Sequence, residues 1–244
     1  MFGFFEKLRD DFVLNFIEKD RWQFLLDGLL NTIIITIVAA LIGVVLGVLV
    51  AAVRTTYDTN HEALAKKGGI GFFVLRILNA VCKIYLTVVR GTPVVVQLLI
   101  IYFVIFATVD NGLLIAMLSF GINSGAYVAE IFRGGIMSID KGQFEAGRSL
   151  GFNYVQTMYH IIMPQAIKNV LPTLLNEFIA LLKETSVAGY VGIMDLTKAG
   201  NNIRNTTYSA FMPLIAVAII YLVIVMLLTW LVSKLERRLR KSDH

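Results

Sequence analysis

The sequence predicts an all-α integral membrane protein with five membrane-spanning helices, a sixth being possible. Two observations predict it. Hydrophobic residues fill 57% of the 244 positions and charged residues only 16%, where soluble chains carry about 45–50% and about 25%. The apolar residues also gather into long runs free of charge, as a helix needs if it is to satisfy its own backbone within hydrocarbon. The net charge of +5 then reads as loop topology. No basic stretch is interleaved with stacking aromatics, so membrane lipid is the expected partner and nucleic acid is not.

The chain begins "MFGFFEKLRDDFVLNFIEKDRW". This stretch mixes both signs of charge and lacks a small-residue cleavage site, so it does not read as a signal peptide. Residues 1–27 are expected to form an extracytoplasmic N-terminal segment. The one cysteine, Cys82, can form no internal disulfide and no metal cluster.

The first span is the uncharged run from Ile33 to Val53, whose length as helix is roughly 30 Å, enough to cross a hydrocarbon core. Ala39, Gly43, Gly47 and Ala51 recur every fourth position and predict a seam where another helix approaches closely. A second run extends from Gly91 to Val109. Thr92 suits a helix cap, and Pro93 suits the first helical position, where no amide partner is needed. A third runs from Asn111 to Ala129, and the last from Asn205 to Ser233. The remaining span, Asn169 to Leu182, follows Lys168 and contains Glu177 and Pro172. A charge at such depth is expected to face the bundle interior or a wet cavity. Arg76, Lys83 and Arg90 are spaced by seven, which places them near one helical face. An amphipathic helix on the membrane surface is expected there, with a sixth span as the alternative.

With five spans and a cytoplasmic C-terminus, fifteen of the 22 basic residues fall on the inner side. The positive-inside rule therefore places the N-terminus outside and the C-terminus in the cytoplasm, with residues 240–244 as a cytoplasmic tail.

The segment "GQFEAGRSLGFNYVQTMYHIIMPQ", Gly142 to Gln165, interrupts the apolar pattern on the expected cytoplasmic side. It reads as two short helices about a turn. Asp140 caps the first, Gly151 supplies the left-handed residue that closes it, and Asn153 caps the second. Pro164 marks a fresh helix start. Ala146 and Gly147 permit close backbone approach, and Glu145 can pair with Arg148 one turn on. An ordinary solvated loop with helix caps is the competing reading.

Glu145-Ala146, with Gly151 six positions after the glutamate and Ile161 and Pro164 beyond it, resembles the EAA motif of permease subunits of binding-protein-dependent ABC importers. "VVRGTPVVVQLLIIYF", "INSGAYVAEIFRGGI", "PQAIKNVLPTLLNEFIALLKETSV" and "YLVIVMLLTWLVSKLERRL" are similar to the polar amino-acid (histidine/glutamine/arginine-type) branch of that family. The likeness covers roughly Asp27 to Leu239. Gly147 and Met163 depart from the usual alanine and leucine but keep small or apolar character. The stretch from Tyr57 to Gly69 has no recognised counterpart.

The resemblance implies a type I ABC importer fold in a bacterial inner membrane. Residues 28–239 would form one permease domain, with a cytoplasmic coupling loop at 138–164. It implies that Glu145, Ala146, Gly147, Arg148, Gly151 and Pro164 engage a separate ATPase, which binds the ATP and Mg, and that this chain binds no cofactor. An extracytoplasmic solute-binding protein and a second permease subunit, in a homo- or heterodimer, would complete the transporter. No G-x-x-x-x-G-K-[ST] loop occurs in the sequence, so ATP hydrolysis is expected elsewhere. His61, His160 and His244 are scattered without a catalytic spacing, so this chain is not expected to be an enzyme. A stand-alone secondary transporter or channel for small polar solutes is the alternative. Such a protein usually shows inverted repeats or an intramembrane relay of acids, and neither is evident here.

Glu177 is the one acid well inside an expected span. It must pair, take a proton or face water. The ammonium group of an amino acid could be its partner, with Asn176, Lys183, Glu184 and Thr185 adding polar groups along the same helix. An interhelical hydrogen bond or ion pair is the other reading.

Overall fold

The computed structural model describes residues 2–240, so the expected tail at 240–244 lies outside the described residues except for Arg240. Among the described residues every regular element is helical. Helix α1 (Phe2–Phe12) passes through a π turn (Val13–Ile17) and a 3-10 turn (Glu18–Asp20) into α2 (Trp22–Lys67). Then come α3 (Ile70–Gly91), α4 (Val94–Ile100) continued by a π segment (Ile101–Ile105), and α5 (Gly112–Met137). The short α6 (Lys141–Ser149) and α7 (Tyr154–Thr157) precede α8 (Met163–Glu184), α9 (Leu196–Thr207) and α10 (Phe211–Arg240).

Helices α2, α3, α5 and α10 are long and apolar enough to cross a membrane. Helix α8 has 22 residues but carries Lys168, Glu177 and Lys183, which lower its hydropathy.

Four expectations are corrected. The surface-helix reading of the Arg76–Arg90 segment gives way to the alternative span, because α3 is long and apolar enough to cross a membrane and its second half packs into a core. Leu86 and Val89 are buried with Val50 of α2 and with Ala126 and Ala129 of α5. The Gly91–Val109 run is not one long helix. Thr92 is extended and follows the end of α3, its hydroxyl donating back to Val88 O at 2.8 Å. The apolar helix beyond Pro93 is Val94–Ile105, about 18 Å long and too short to cross alone. The last run does not begin at Asn205, since Asn205 to Thr207 end α9. Tyr208 then takes a left-handed backbone (φ 54°), and α10 starts at Phe211. Finally, Pro164 does not begin a helix afresh. Helical geometry continues from Tyr154 to Glu184, through a π turn at Met158–Ile162. A wide turn just before a proline makes room for its ring and absorbs the missing amide bond.

The chain forms two compact units. The first takes the chain up to Ala39, Val95–Phe120 and Ile179–Leu231. Its core joins Phe16 and Leu25 to Leu196, Ala199, Ile203 and Val217. The N-terminal segment is tied in by polar contacts. Buried Asn15 donates to Ser209 Oγ at 3.1 Å and accepts from Thr207 Oγ1 at 2.7 Å. Arg21, also buried, donates to Leu14 O and lies 3.7 Å from Glu18. Asp195 caps α9, accepting from the amides of Thr197 and Lys198. Burial pushes its carboxyl above the usual range, and those two bonds partly oppose the shift.

The second unit takes Ala40–Val94, Gly121–Phe178 and the chain from Val232. Here the small-residue seam of α2 meets α5. A Cβ on Gly43 would come within 3.1 Å of Ser124, and one on Gly47 within 2.5 Å of Val128. Ala51 is buried as well, as is Ala39 at the end of the first unit's stretch. At the end of α5, Ile136 and Ile139 pack with Ile162 and Ala166.

Candidate functional site

The polar segment folds from local signals. Asp140 caps α6, its carboxylate accepting from the Gly142 amide at 2.6 Å. Gly151 follows with φ +80°, a conformation that costs a residue with a Cβ roughly 1–2 kcal/mol. Asn153 and Gln156 form a reciprocal capping box at the start of α7, with both bonds at 2.9 Å. Gly147 is buried where α6 meets this second helix, and a Cβ there would stand 2.6 Å from the Thr157 methyl. The glycine that departs from the motif's usual alanine thus sits where α6 rests on Thr157.

Beside α6 lies a cleft of about 360 Å³. Ile136, Met137, Ile139 and Phe144 give it an apolar side; Lys141, Glu145 and Arg148 give it charge, with Asp58 and Thr59 opposite. Glu145 and Arg148 both line the cleft but form no ion pair with each other. Both charges therefore remain available to a partner. Leu150 and Val155 are exposed at 71% each, adding apolar surface beside the turn. Ala146 is exposed on α6, and Pro164 lies on the continuous helix beyond.

Sequence reasoning missed Asp58. Helix α2 has 46 residues, about 69 Å at the α-helical rise. The stretch from Arg54 to Lys67 therefore extends it well past its uncharged run and brings Asp58 to α6. A signal was present: no proline or glycine interrupts the chain between Gly47 and Gly68. Asp58 also pairs with Arg54 at 3.7 Å and with Arg133 at 3.9 Å. Arg133 reaches Glu130 at 3.0 Å, and Glu130 reaches Arg90 at 3.7 Å. A continuous ionic ladder thus joins α2, α3 and α5 at the edge of the α6 cleft.

The proposed pathway residues are placed as follows. Glu177 is half-buried and accepts a hydrogen bond from the Ser124 hydroxyl of α5 at 3.2 Å. The Asn176 amide donates to Pro172 O one turn back. Both belong to the second unit, whereas Lys183, Glu184 and Thr185 belong to the first. Lys183 is exposed and Glu184 half-buried. Thr185 is fully buried and donates to Leu182 O at 2.8 Å. The sequence also gave no notice of a polar cleft of about 390 Å³ on α9, lined by Tyr190, Lys198, Asn201, Asn202 and Arg204 among others.

Comparison with known proteins fits this arrangement. Residues 67–241 match the family described as binding-protein-dependent transport system inner membrane component. The glutamine transport system permease protein GlnP of Escherichia coli K12 is 40% identical over 169 residues, 67% of this chain and 77% of that protein. The arginine transport system permease protein ArtQ of Bacillus subtilis is 37% identical over 186 residues, 70% of this chain and 84% of that protein. A chain from a crystallised amino acid ABC transporter with histidines is 37% identical, with a TM-score of 0.78 over 91% of this chain and 98% of its own. A charged, capped α6 beside a cleft, on a bundle of apolar helices with that likeness, makes this chain a member of the binding-protein-dependent transport system inner membrane component family.

Proposed function

We propose that the chain is the permease subunit of an ATP-driven importer of polar amino acids. The observation that carries this reading is the α6 cleft, with Asp58, Lys141, Glu145 and Arg148 at its rim, in a chain whose relatives are glutamine and arginine permeases. Mixed charges around an apolar floor suit a protein partner that brings one apolar side chain and complementary ions. That partner is a separate ATPase subunit, which binds ATP and Mg and docks from the cytoplasm. A solute-binding protein delivers the amino acid from outside, and a second permease subunit completes the pore. The N-terminus faces outward. Transport proceeds by alternating access, with two states biased by ATP and by the loaded binding protein. Glu177 lies on the substrate path, and Asn176, Lys183, Glu184 and Thr185 set the polarity of its helix.

Reconstitution in lipid vesicles tests the reading. Uptake of labelled glutamine, arginine or histidine should require the ATPase, the binding protein and ATP together. Uptake driven by an ion gradient in vesicles holding this chain alone would overturn it in favour of a secondary transporter.

A further inference from the structure

The sevenfold spacing of Arg76, Lys83 and Arg90 has no role in the transport reading, yet two of these cations share a cavity. A pocket of about 380 Å³ is lined by Arg54, Lys83, Leu86, Thr87, Arg90, Gly91 and Glu130. The acids close to it are already engaged. Glu130 is shared by Arg90 and Arg133, and Asp58 by Arg54 and Arg133. Arg54 also donates to Asn79 Oδ1 at 2.6 Å, and Arg90 stands 5.9 Å from the centre of the Tyr127 ring. Lys83 forms neither an ion pair nor a hydrogen bond among the described residues. The cavity lining therefore holds three cations and one acid, and the excess is positive.

The depth of the pocket follows from the sequence. Arg54 is the first charge after the run Ile33–Val53, Glu130 the first after Asn111–Ala129, and Arg90 the last before Gly91–Val109. Arg54 and Glu130, the first charges beyond the uncharged runs of α2 and α5, share this cavity and set it near the polar boundary of the hydrocarbon. On α3, Val81, Ile84 and Val88 are exposed at 57%, 64% and 54%, an apolar surface next to Lys83 and Thr87. Uncompensated positive charge at that depth is costly unless an anion accompanies it.

We infer that this cavity binds the phosphate of an anionic phospholipid headgroup, with the acyl chains along the exposed apolar side of α3. Lys83 supplies the unpaired cation, Arg54 and Arg90 offer further N–H donors, and Thr87 a hydroxyl. A zwitterion fits less well. Its ammonium group needs a free carboxylate, and both acids are each held by two arginines. The same reasoning disfavours an amino acid and a choline headgroup, so the site selects for net negative charge.

Native mass spectrometry of the full-length chain, purified with its co-purifying subunits, tests this directly. The sample is offered phosphatidylglycerol and phosphatidylcholine in equal amounts. Selective retention of phosphatidylglycerol is expected, and Lys83→Gln should lower it about fivefold, the effect of one basic residue at a membrane surface. Lys83→Arg should restore retention, which a merely structural loss would not allow. Equal retention of the two lipids, or retention unchanged in Lys83→Gln, overturns the site. Displacement of the lipid by millimolar inorganic phosphate would assign the cavity to a free anion and overturn the lipid reading.

Discussion

The Asp58 carboxylate lies 3.9 Å from the Arg133 guanidinium, which joins the far end of α2 to the end of α5 next to the segment that follows it. Asp58 also lines the cleft shared with Glu145 and Arg148. Arg54 and Arg133 thus hold in place a residue that borders the proposed docking surface. Asp58→Asn should change stability little, because a partly exposed ion pair contributes only about 0–1 kcal/mol. It should nevertheless lower ATPase stimulation by loaded binding protein, measured in vesicles at matched membrane abundance. Wild-type stimulation would show that the ladder plays no part in coupling.

Gly151→Val places a β-branched residue at φ +80°, where valine is strained by roughly 1–2 kcal/mol. Glu145→Lys reverses one charge at the cleft rim. Both variants should insert normally and lose ATPase association or stimulated hydrolysis, read by co-purification and phosphate release. Full ATP-driven uptake by both would remove this turn from the coupling machinery.

Glu177→Gln keeps the shape of the side chain and removes its charge. The expected result is a rise of about tenfold in the transport KM, equivalent to ~1.4 kcal/mol, with ATPase coupling intact. Ser124→Ala, which deletes the hydroxyl donating to Glu177, should shift KM in the same direction by less. Unchanged kinetics in both stably inserted variants would take Glu177 off the path. A collapse in membrane abundance would assign the pair to structure alone.

Topology is open to labelling. Thr59, on the extension of α2, is exposed. In a Cys82→Ser background, Thr59→Cys should react with an impermeant maleimide only in inverted vesicles. Reaction in intact cells would reverse the proposed orientation.

The seam of α2 makes a stability prediction. Gly47→Leu drives a side chain into Val128, where even a Cβ would stand at 2.5 Å. Overpacking of this kind costs ~1–3 kcal/mol. A lower thermal midpoint in detergent is expected, and Val128→Ala should partly restore it. An unchanged midpoint in Gly47→Leu would mean that α2 and α5 do not pack closely in the membrane.

Much of the polar segment around α6 was legible because its signals are local. Asp140, Gly151 and Asn153 each act within a few residues, through a cap or a backbone sign that no distant contact needs to supply. The seam at Gly43 and Gly47 was legible for a related reason, since small residues at helical spacing have few uses other than close approach. The reading of α3 failed because cations every seven residues describe only one face. In the structure the buried Asn79, Leu86 and Val89 lie toward the cations' side, while Val81, Ile84 and Val88 opposite are exposed, and which side finds α2 and α5 is not written in α3 itself. The continuity of helix through Pro164 was hidden likewise, because a π turn leaves no residue signature of its own.

By itself the sequence determined the solvent, the helical class and the address of the polar interruption. Those follow from composition, run length and nearest-neighbour chemistry, which are properties of the chain in order. Only the tertiary structure decided that Asp58 borders α6, that Ser124 hydrogen-bonds Glu177, and that Arg54, Arg90 and Glu130 share one cavity. Each of these joins residues separated by tens of positions. Such distances close only when apolar faces have chosen their neighbours, and that choice depends on the shape of every helix at once.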